Sequence, residues 1–212
     1  MGRAFARVMF GEAAKRLQER FGSRAAYERV AREGKVGDAL GPMEREFIGR
    51  RDSFYLATVT ADGWPYVQHR GGPTGFLRVL DDRTLAFADF AGNRQYITMG
   101  NLSENPKAQL FLIDYATRRR VKIWGEARIV EGDDALVAKL MPAHYRAKAD
   151  QVLVFTVTAW DSNCPQHIPR RFEEEDVRAL LGERDQRIAE LEAELATLKA
   201  RLASGEGAAR SR

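Results

Sequence analysis

A single cysteine, Cys164, stands among 212 residues, which excludes an internal disulfide framework and any zinc site built from several thiolates. A reducing, cytoplasmic setting is expected. No apolar run approaches the roughly 18 residues that span a bilayer, so no membrane partner is expected. Residues 1–14 carry Arg3 and Arg7 beside a short apolar patch, without an extended apolar region or a small-residue cleavage site. Ala6 stands where a myristoylation signal requires Ser or Thr, so neither secretion nor lipid anchoring is expected.

Histidine is also scarce, with three residues, and the chain has no zinc-protease motif, no GxxxxGK phosphate loop and no GxSxG elbow. Hydrolase chemistry therefore lacks its usual groups, and no catalytic side chain or metal-ligand set is assigned. Charge of one sign is not in excess either. The 34 basic residues interleave with 30 acidic ones to a net charge of +4, without the concentrated basic stripe that nucleic-acid partners call for.

What remains is ordinary globular material, 44% hydrophobic and 30% charged, enough for one main core with appendages. Residues 12–33 read as two short helices broken at Phe21-Gly22, with Ser23 capping the second. After the glycine-containing loop around Gly34, Gly37 and Gly41, residues 43–49 place Met43, Phe47 and Ile48 on one helical face, a plug for one end of a barrel.

From residue 54 the period changes to that of strands. Residues 54–60 and 64–70 flank the turn Ala61-Asp62-Gly63, and residues 76–80 and 85–88 flank Asp81-Asp82-Arg83. A third hairpin pairs residues 108–115 with 120–130. A short helix from Asp133 to Met141 follows, then the β-rich run of residues 152–160, taken as a sixth strand closing an antiparallel barrel. Residues 93–99 read as one or two helical turns. The fold class expected is mainly β with flanking helices: a six-stranded antiparallel β-barrel plus a long C-terminal helix. The organisation expected is a lead-in over 1–50, a barrel over 51–171, a helix over 172–203 and a disordered tail over 204–212.

In that last helix Leu181, Ile188, Leu195 and Leu202 recur every seven residues, with Leu191 and Leu198 at the alternate heptad position and Arg184 interrupting one seam position. Two readings stay open, a coiled coil with a second chain and an amphipathic helix lying on the barrel.

Two segments offer ligand chemistry. On a strand, Gln68 and Arg70 point to one face and are followed by Gly71-Gly72, which would let a phosphate approach the backbone; a surface arginine beside a glycine turn would look the same. Asn93, Arg94 and Gln95 lie at a strand-to-helix passage where free N–H groups and side-chain donors suit an anion, although Asn93 could simply cap the helix.

Residues 54–130 carry, in order, an Ala57-Thr58-Val59 strand, a Gly63-Trp64-Pro65 turn, the polar strand end Gln68-His69-Arg70, a strand running into a helix that carries Arg94, Asn105-Pro106, and a Gly125-Glu126-Ala127 step. That order resembles the FMN-binding split barrels related to pyridoxamine 5'-phosphate oxidase. The resemblance implies a six-stranded antiparallel split β-barrel, a homodimer with FMN at the subunit interface and flavin-mediated hydride transfer, with NAD(P)H as one candidate electron donor. A flavin carrier or sensor without turnover, and a deazaflavin-dependent reductase on the same fold, are the alternatives.

By the same resemblance, Gln68, His69, Arg70 and Gly71 contact the flavin and its ribityl phosphate, Ala88 and Asp89 pass under the cofactor, and Asn93, Arg94 and Gln95 hold the phosphate. Arg120 reaches flavin from the partner subunit, and Trp160 lies near it. The chain departs from the true oxidases at Gln68-His69-Arg70 and at Arg94-Gln95. The residues after Trp160 that would line a substrate pocket, Asn163, Cys164, Gln166, His167 and Arg170, do not keep the oxidases' register, which puts pyridoxamine phosphate as substrate in doubt.

Overall fold

Three short helices, α1 (Arg3–Met9), α2 (Glu12–Arg20) and α3 (Arg24–Glu33), precede a fourth, α4 (Pro42–Gly49). They are seen in a computed structural model that describes residues 2–163 and 165–209, with the backbone alone described at 150, 163 and 203–209. The break between α2 and α3 falls at Phe21-Gly22, with Gly22 at φ 75°. Ser23 holds the N-cap position of α3 but makes no side-chain capping bond, so that helix starts without the cap its sequence offers. The lead-in is not a separate piece. Phe5 of α1 packs against Trp124, and Ala4, Phe5 and Ala159 form a small core, within one compact unit, Met1–Ile168.

Pro42 suits the first turn of α4, where its missing N–H costs nothing. The buried stripe of this helix is Glu44, Phe47 and Ile48 at i, i+3 and i+4, whereas Met43 is 65% exposed, which corrects the expected plug face. A charged residue can take the inner position because Glu44 has a cation within reach, Arg119 Nη2 at 3.9 Å.

The strands are seven rather than six. They are β1 (Ser53–Val59), β2 (Pro65–Gly71), β3 (Arg78–Val79), β4 (Thr84–Phe90), β5 (Lys107–Asp114), β6 (Arg119–Glu131) and β7 (Ala149–Asn163), with α5 (Ile97–Glu104) between β4 and β5 and α6 (Asp134–Leu140) between β6 and β7. Three hairpins and one further strand already make seven segments; the short β3 is the one a six-stranded count leaves out. All the pairings are antiparallel, in the order β2-β1-β5-β6-β7-β4-β3.

Alternation sets the inner face. Phe54, Leu56 and Thr58 of β1, and Ala108, Leu110 and Leu112 of β5, are buried, with their neighbours turned outward. Gly125 on β6 sits at the one register shift between β6 and β7. A Cβ there would lie 1.9 Å from the Thr156 carbonyl oxygen, so the Gly-x-Ala step exists because another backbone occupies the side-chain space.

β1 and β4 are far apart in the strand order, yet the rings of Phe54 and Phe87 meet edge to face with centroids 5.3 Å apart, and Phe76 stacks on Phe54 at 5.5 Å. The sheet therefore curls on itself around one aromatic-rich core. It does not close. No ladder joins β2 to β3 among the described residues, so the expected removal of sheet edges is incomplete and a seam remains between β2 and β4. On the other face of β4 and β7, Ala86, Ala88, Val152 and Val154 pack with Leu140 of α6, whose start is capped by Asp133 accepting from the Leu136 N–H at 2.8 Å.

The second unit, Pro169–Arg212, contains α7 (Glu174–Ala209), which continues past Ser204, where composition had suggested an end to the helix. Among the described residues no helix is long and apolar enough to cross a membrane.

Candidate functional site

β2 turns Tyr66, Gln68 and Arg70 to one side and Pro65, Val67 and His69 to the other, as a two-residue period requires. The first set faces the seam. Arg70 Nη1 donates to Asp89 Oδ1 of β4 at 2.6 Å, and its Nη2 donates to Thr98 Oγ1 of α5 at 3.4 Å. The second carboxylate oxygen of Asp89 accepts from Gln151 Nε2 at 2.7 Å, a bond made because Asp89 and Gln151 are cross-strand partners. Tyr66 donates its hydroxyl to Gln68 Oε1 at 2.5 Å. The ion pair is largely shielded, with side-chain exposures of 18% and 9%, so both charges are held in place rather than free in solvent.

This network forms one wall of a cleft of about 490 Å³, a size that suits a cofactor. The opposite rim is the loop between β4 and α5. There Arg94 and Tyr96 adopt left-handed backbone angles, φ 61° and 53°, which cost side-chain-bearing residues about 1–3 kcal/mol each and tend to gather at ligand sites. Asn93 Oδ1 accepts from the Gln95 N–H at 3.3 Å, so Asn93 closes a turn in this loop. The helix expected from residue 93 begins only at Ile97, with Tyr96 as an N-cap that makes no side-chain bond; the local Asn93 turn and the two left-handed residues keep the rim out of helix.

Of the residues expected at a cofactor site, the cleft brings together Gln68, Arg70, Asp89, Asn93, Arg94 and Gln95. Others lie elsewhere. His69 is on the opposite face of β2, edge to face with Tyr55 at 5.6 Å, and Gly71 ends the strand with the His69 ring against it. Ala88 is buried in the α6 cluster because it alternates with Asp89. Arg120 pairs in the ladder with Asn163, and its Nε is buried without a hydrogen-bond partner among the described residues.

Trp160 commits its indole N–H to the Ala39 carbonyl at 2.8 Å. It lines a different cavity, of about 560 Å³, with Met43, Glu44 and Ser162. Gln166 and His167 are exposed, Arg170 belongs to the second unit, and Cys164 and the Asn163 side chain lie outside the described residues.

Tyr66, Thr98 and Gln151 are additions that sequence reading missed. Tyr66 had a signal, since it shares the period of Gln68 and Arg70. Thr98 and Gln151 had none, because each reaches the cleft through a contact distant in sequence.

The arrangement can hold an anionic group beside a flat or apolar one. Arg70 and Arg94 supply cations, Thr98 a hydroxyl, Asn93 and Gln95 amides, and Phe90, Tyr96 and Ile97 apolar surface. Asp89 and Glu131 also line the cleft and oppose those cations. Arg70 Nε is buried without a hydrogen-bond partner among the described residues.

No curated protein matches this chain in sequence. Solved structures with a similar sheet include HupZ from Group A Streptococcus, at 18% identity over 63% of this chain and 99% of that one, with a TM-score of 0.48. An FMN-binding protein from Syntrophomonas wolfei matches at 16% identity over 57% of this chain and 89% of its own, TM-score 0.43. The heme storage protein HutZ from Vibrio cholerae matches at 20% identity over 58% and 93% of the two chains, TM-score 0.39. A family model for pyridoxamine 5'-phosphate oxidase matches residues 40–164, more than half of the chain, which therefore belongs to the pyridoxamine 5'-phosphate oxidase family.

Proposed function

We propose that this protein binds FMN in the seam cleft as a homodimer and works as a flavin-dependent oxidoreductase. One observation carries the reading: Arg70, Thr98 and Arg94, drawn from three different segments of the chain, converge on a single cleft of cofactor size. Within it Arg70 and Thr98 would hold the phosphate from the strand side, and Arg94, Asn93 and Gln95 from the loop side. Asp89 and Gln151 keep the Arg70 guanidinium aimed there before any ligand arrives, so little ordering is left to be done on binding. The bound flavin would supply hydride acceptance and donation; the protein supplies position and hydrogen bonds.

Cleft cations and carboxylates balance formally, Arg70 and Arg94 against Asp89 and Glu131, so one chain alone is a modest host for a phosphate dianion. A second subunit that brings further donors would remedy this. Arg120 lies outside the cleft of its own chain, and that placement supports its assignment to the flavin of the partner subunit.

Purified protein should be yellow with a flavin spectrum, and mass spectrometry of the released ligand should give FMN. A deazaflavin or a heme in its place, or a colourless protein that does not take up added FMN, overturns the reading. Reduction of the bound flavin by NADPH or NADH in stopped flow is expected of an oxidoreductase; tight FMN binding with no reduction by any donor reduces the protein to a flavin carrier or sensor. Arg94→Ala should weaken FMN binding by about 1.5–3 kcal/mol, the worth of a hydrogen bond to a charged group, and leave folding stability within about 0.5 kcal/mol.

A further inference from the structure

The family match ends at residue 164, so membership says nothing of α7, the helix Glu174–Ala209. Its apolar residues are exposed. Leu181, Ile188, Leu191, Leu195, Leu198 and Leu202 are between 45% and 68% exposed. A helix of this kind gains its stability from packing rather than from intrinsic propensity, so a face this apolar needs an occupant.

The spacing identifies the face as a heptad seam with Leu181, Ile188, Leu195 and Leu202 at a, and Val177, Leu191 and Leu198 at d. Arg184 at d weakens the first half, which places the pairing mainly from Ile188 onward. We propose that the seam is occupied by the α7 helix of a second copy of this chain, parallel and in register.

The number of apolar layers and the flanking charges together choose the partner and the direction. In a parallel, in-register pair each g position lies beside the partner's e position five residues on. Arg187 at g then faces Glu192 of the partner subunit, and Glu194 at g faces Lys199 of the partner subunit; each contact occurs twice by symmetry. Leu180 at g meets Asp185 of the partner subunit, a neutral pairing. The antiparallel register that fills the most apolar layers sets Val177 over the partner subunit's Leu202, Leu181 over the partner subunit's Leu198 and Ile188 over the partner subunit's Leu191, one fewer apolar layer than the seven of the parallel pair. It brings Asp185 beside the partner subunit's Glu192 and Arg178 beside the partner subunit's Lys199, like-charge pairs that outnumber its one opposite pair, Arg187 with the partner subunit's Glu194. A shorter antiparallel overlap pairs opposite charges throughout but fills only four apolar layers.

Arg184 can reach Asp185 of the partner subunit beside its own layer, which softens the cost of an arginine in the seam. A parallel pair is isologous about a two-fold axis, the symmetry of most dimers. The apolar stretch is short, so the coil would gain from a second contact that raises the local concentration of one helix around the other.

The test uses the full chain with Cys164→Ser as background, so that any disulfide reports an introduced thiol. Leu198→Cys at d should give a disulfide-linked dimer as the main oxidised species, since facing d residues in a parallel pair come near the roughly 4.4–6.8 Å Cα separation a disulfide needs. Ala200→Cys, at the outward f position, should remain uncrosslinked. Arg187→Glu should reduce the Leu198→Cys crosslink several-fold, and adding Glu192→Arg should restore it.

A Leu198→Cys chain that stays monomeric in oxidising gels, while native mass spectrometry still shows a dimer, overturns the proposal and leaves barrel dimerisation intact. Equal crosslinking at 198 and 200 also overturns it, as does crosslinking indifferent to the Arg187 and Glu192 charges. None of these readouts depends on FMN.

Discussion

Two arginine–aspartate pairs in the barrel unit have nearly the same chemistry and different surroundings. Arg51 Nη2 lies 3.0 Å from Asp114 Oδ2, with side-chain exposures of 16% and 16%; Arg70 Nη1 lies 2.6 Å from Asp89 Oδ1, at 18% and 9%. Each guanidinium sits over a phenylalanine, Phe47 at 4.9 Å and Phe87 at 5.9 Å, and each leaves its Nε buried without a hydrogen-bond partner among the described residues. Asp114 closes on its own surroundings by accepting from the Thr117 N–H at 3.1 Å, which fixes the β5–β6 turn, while Arg51 reaches the Ile113 carbonyl at 3.5 Å. Asp89 closes on Gln151, but Arg70 opens onto the cleft shared with Arg94.

Neither shielded charge nor an orphaned donor marks a binding site by itself, since both pairs have both features. What separates them is the adjoining volume and the second cation across it. The first pair holds a turn, and the second presents a donor.

Breaking the first pair should show as stability. Asp114→Ala leaves a largely buried guanidinium without its counter-charge, and with slight exposure to water the cost should be about 2–3 kcal/mol, at or below the range for breaking fully buried pairs. Urea unfolding measures it, and FMN affinity of the folded fraction should not change. A loss of affinity equal to that of a cleft variant would erase the distinction.

Breaking the second pair should show as binding. Arg70→Ala should weaken FMN binding by about 1.5–3 kcal/mol, roughly 10- to 150-fold, by titration of the apoprotein. Stability should fall by a comparable amount, since Asp89 loses its counter-charge and keeps only the Gln151 hydrogen bond, so the loss of affinity is what separates this variant from Asp114→Ala. Should Arg70→Ala cost stability alone, both pairs are structural and the cleft loses its anchor. Thr98→Val tests the same wall more gently: the 3.4 Å contact to Arg70 is long, so an affinity loss of about 0.5–1.5 kcal/mol is expected if the hydroxyl also serves the ligand.

The contrast also explains what could be read in the residues. Alternation and Asp-Gly turn chemistry located the strands because both act over a few residues; β1 and β2 fall within a residue of the expected bounds. That Gln68, Arg70 and Arg94 line one cleft follows from side-chain periodicity and a strand exit, which are also local. Gln151 was not, since only the β4–β7 register places it beside Asp89. Ala88 and His69 were swept in with their neighbours, although a two-residue period sends them to the opposite face. The late start of α5 was hidden too, because an asparagine can cap a helix or close a turn and tertiary context selected the turn. Met43 in place of Glu44 was a similar miss, decided by an arginine on a strand far along the chain.

The smallest expected effect concerns acid. The Asp114 carboxyl is pushed up by burial, but the Thr117 backbone N–H and the Arg51 guanidinium outweigh that and hold it below the ordinary carboxylate value. A carboxylate whose folded pKa is lowered stabilises the fold fully above its unfolded value, near 3.9, and loses that contribution as pH falls through the lower folded value. The chain should therefore shed this part of its stability only below about pH 4, while Asp114→Asn, already without it, should show a flatter acid limb when urea midpoints are compared between about pH 7 and pH 3. If the two acid limbs run parallel, Asp114 does not exchange its proton against Arg51 and the turn, and the first pair would no longer differ from the second in being closed on itself.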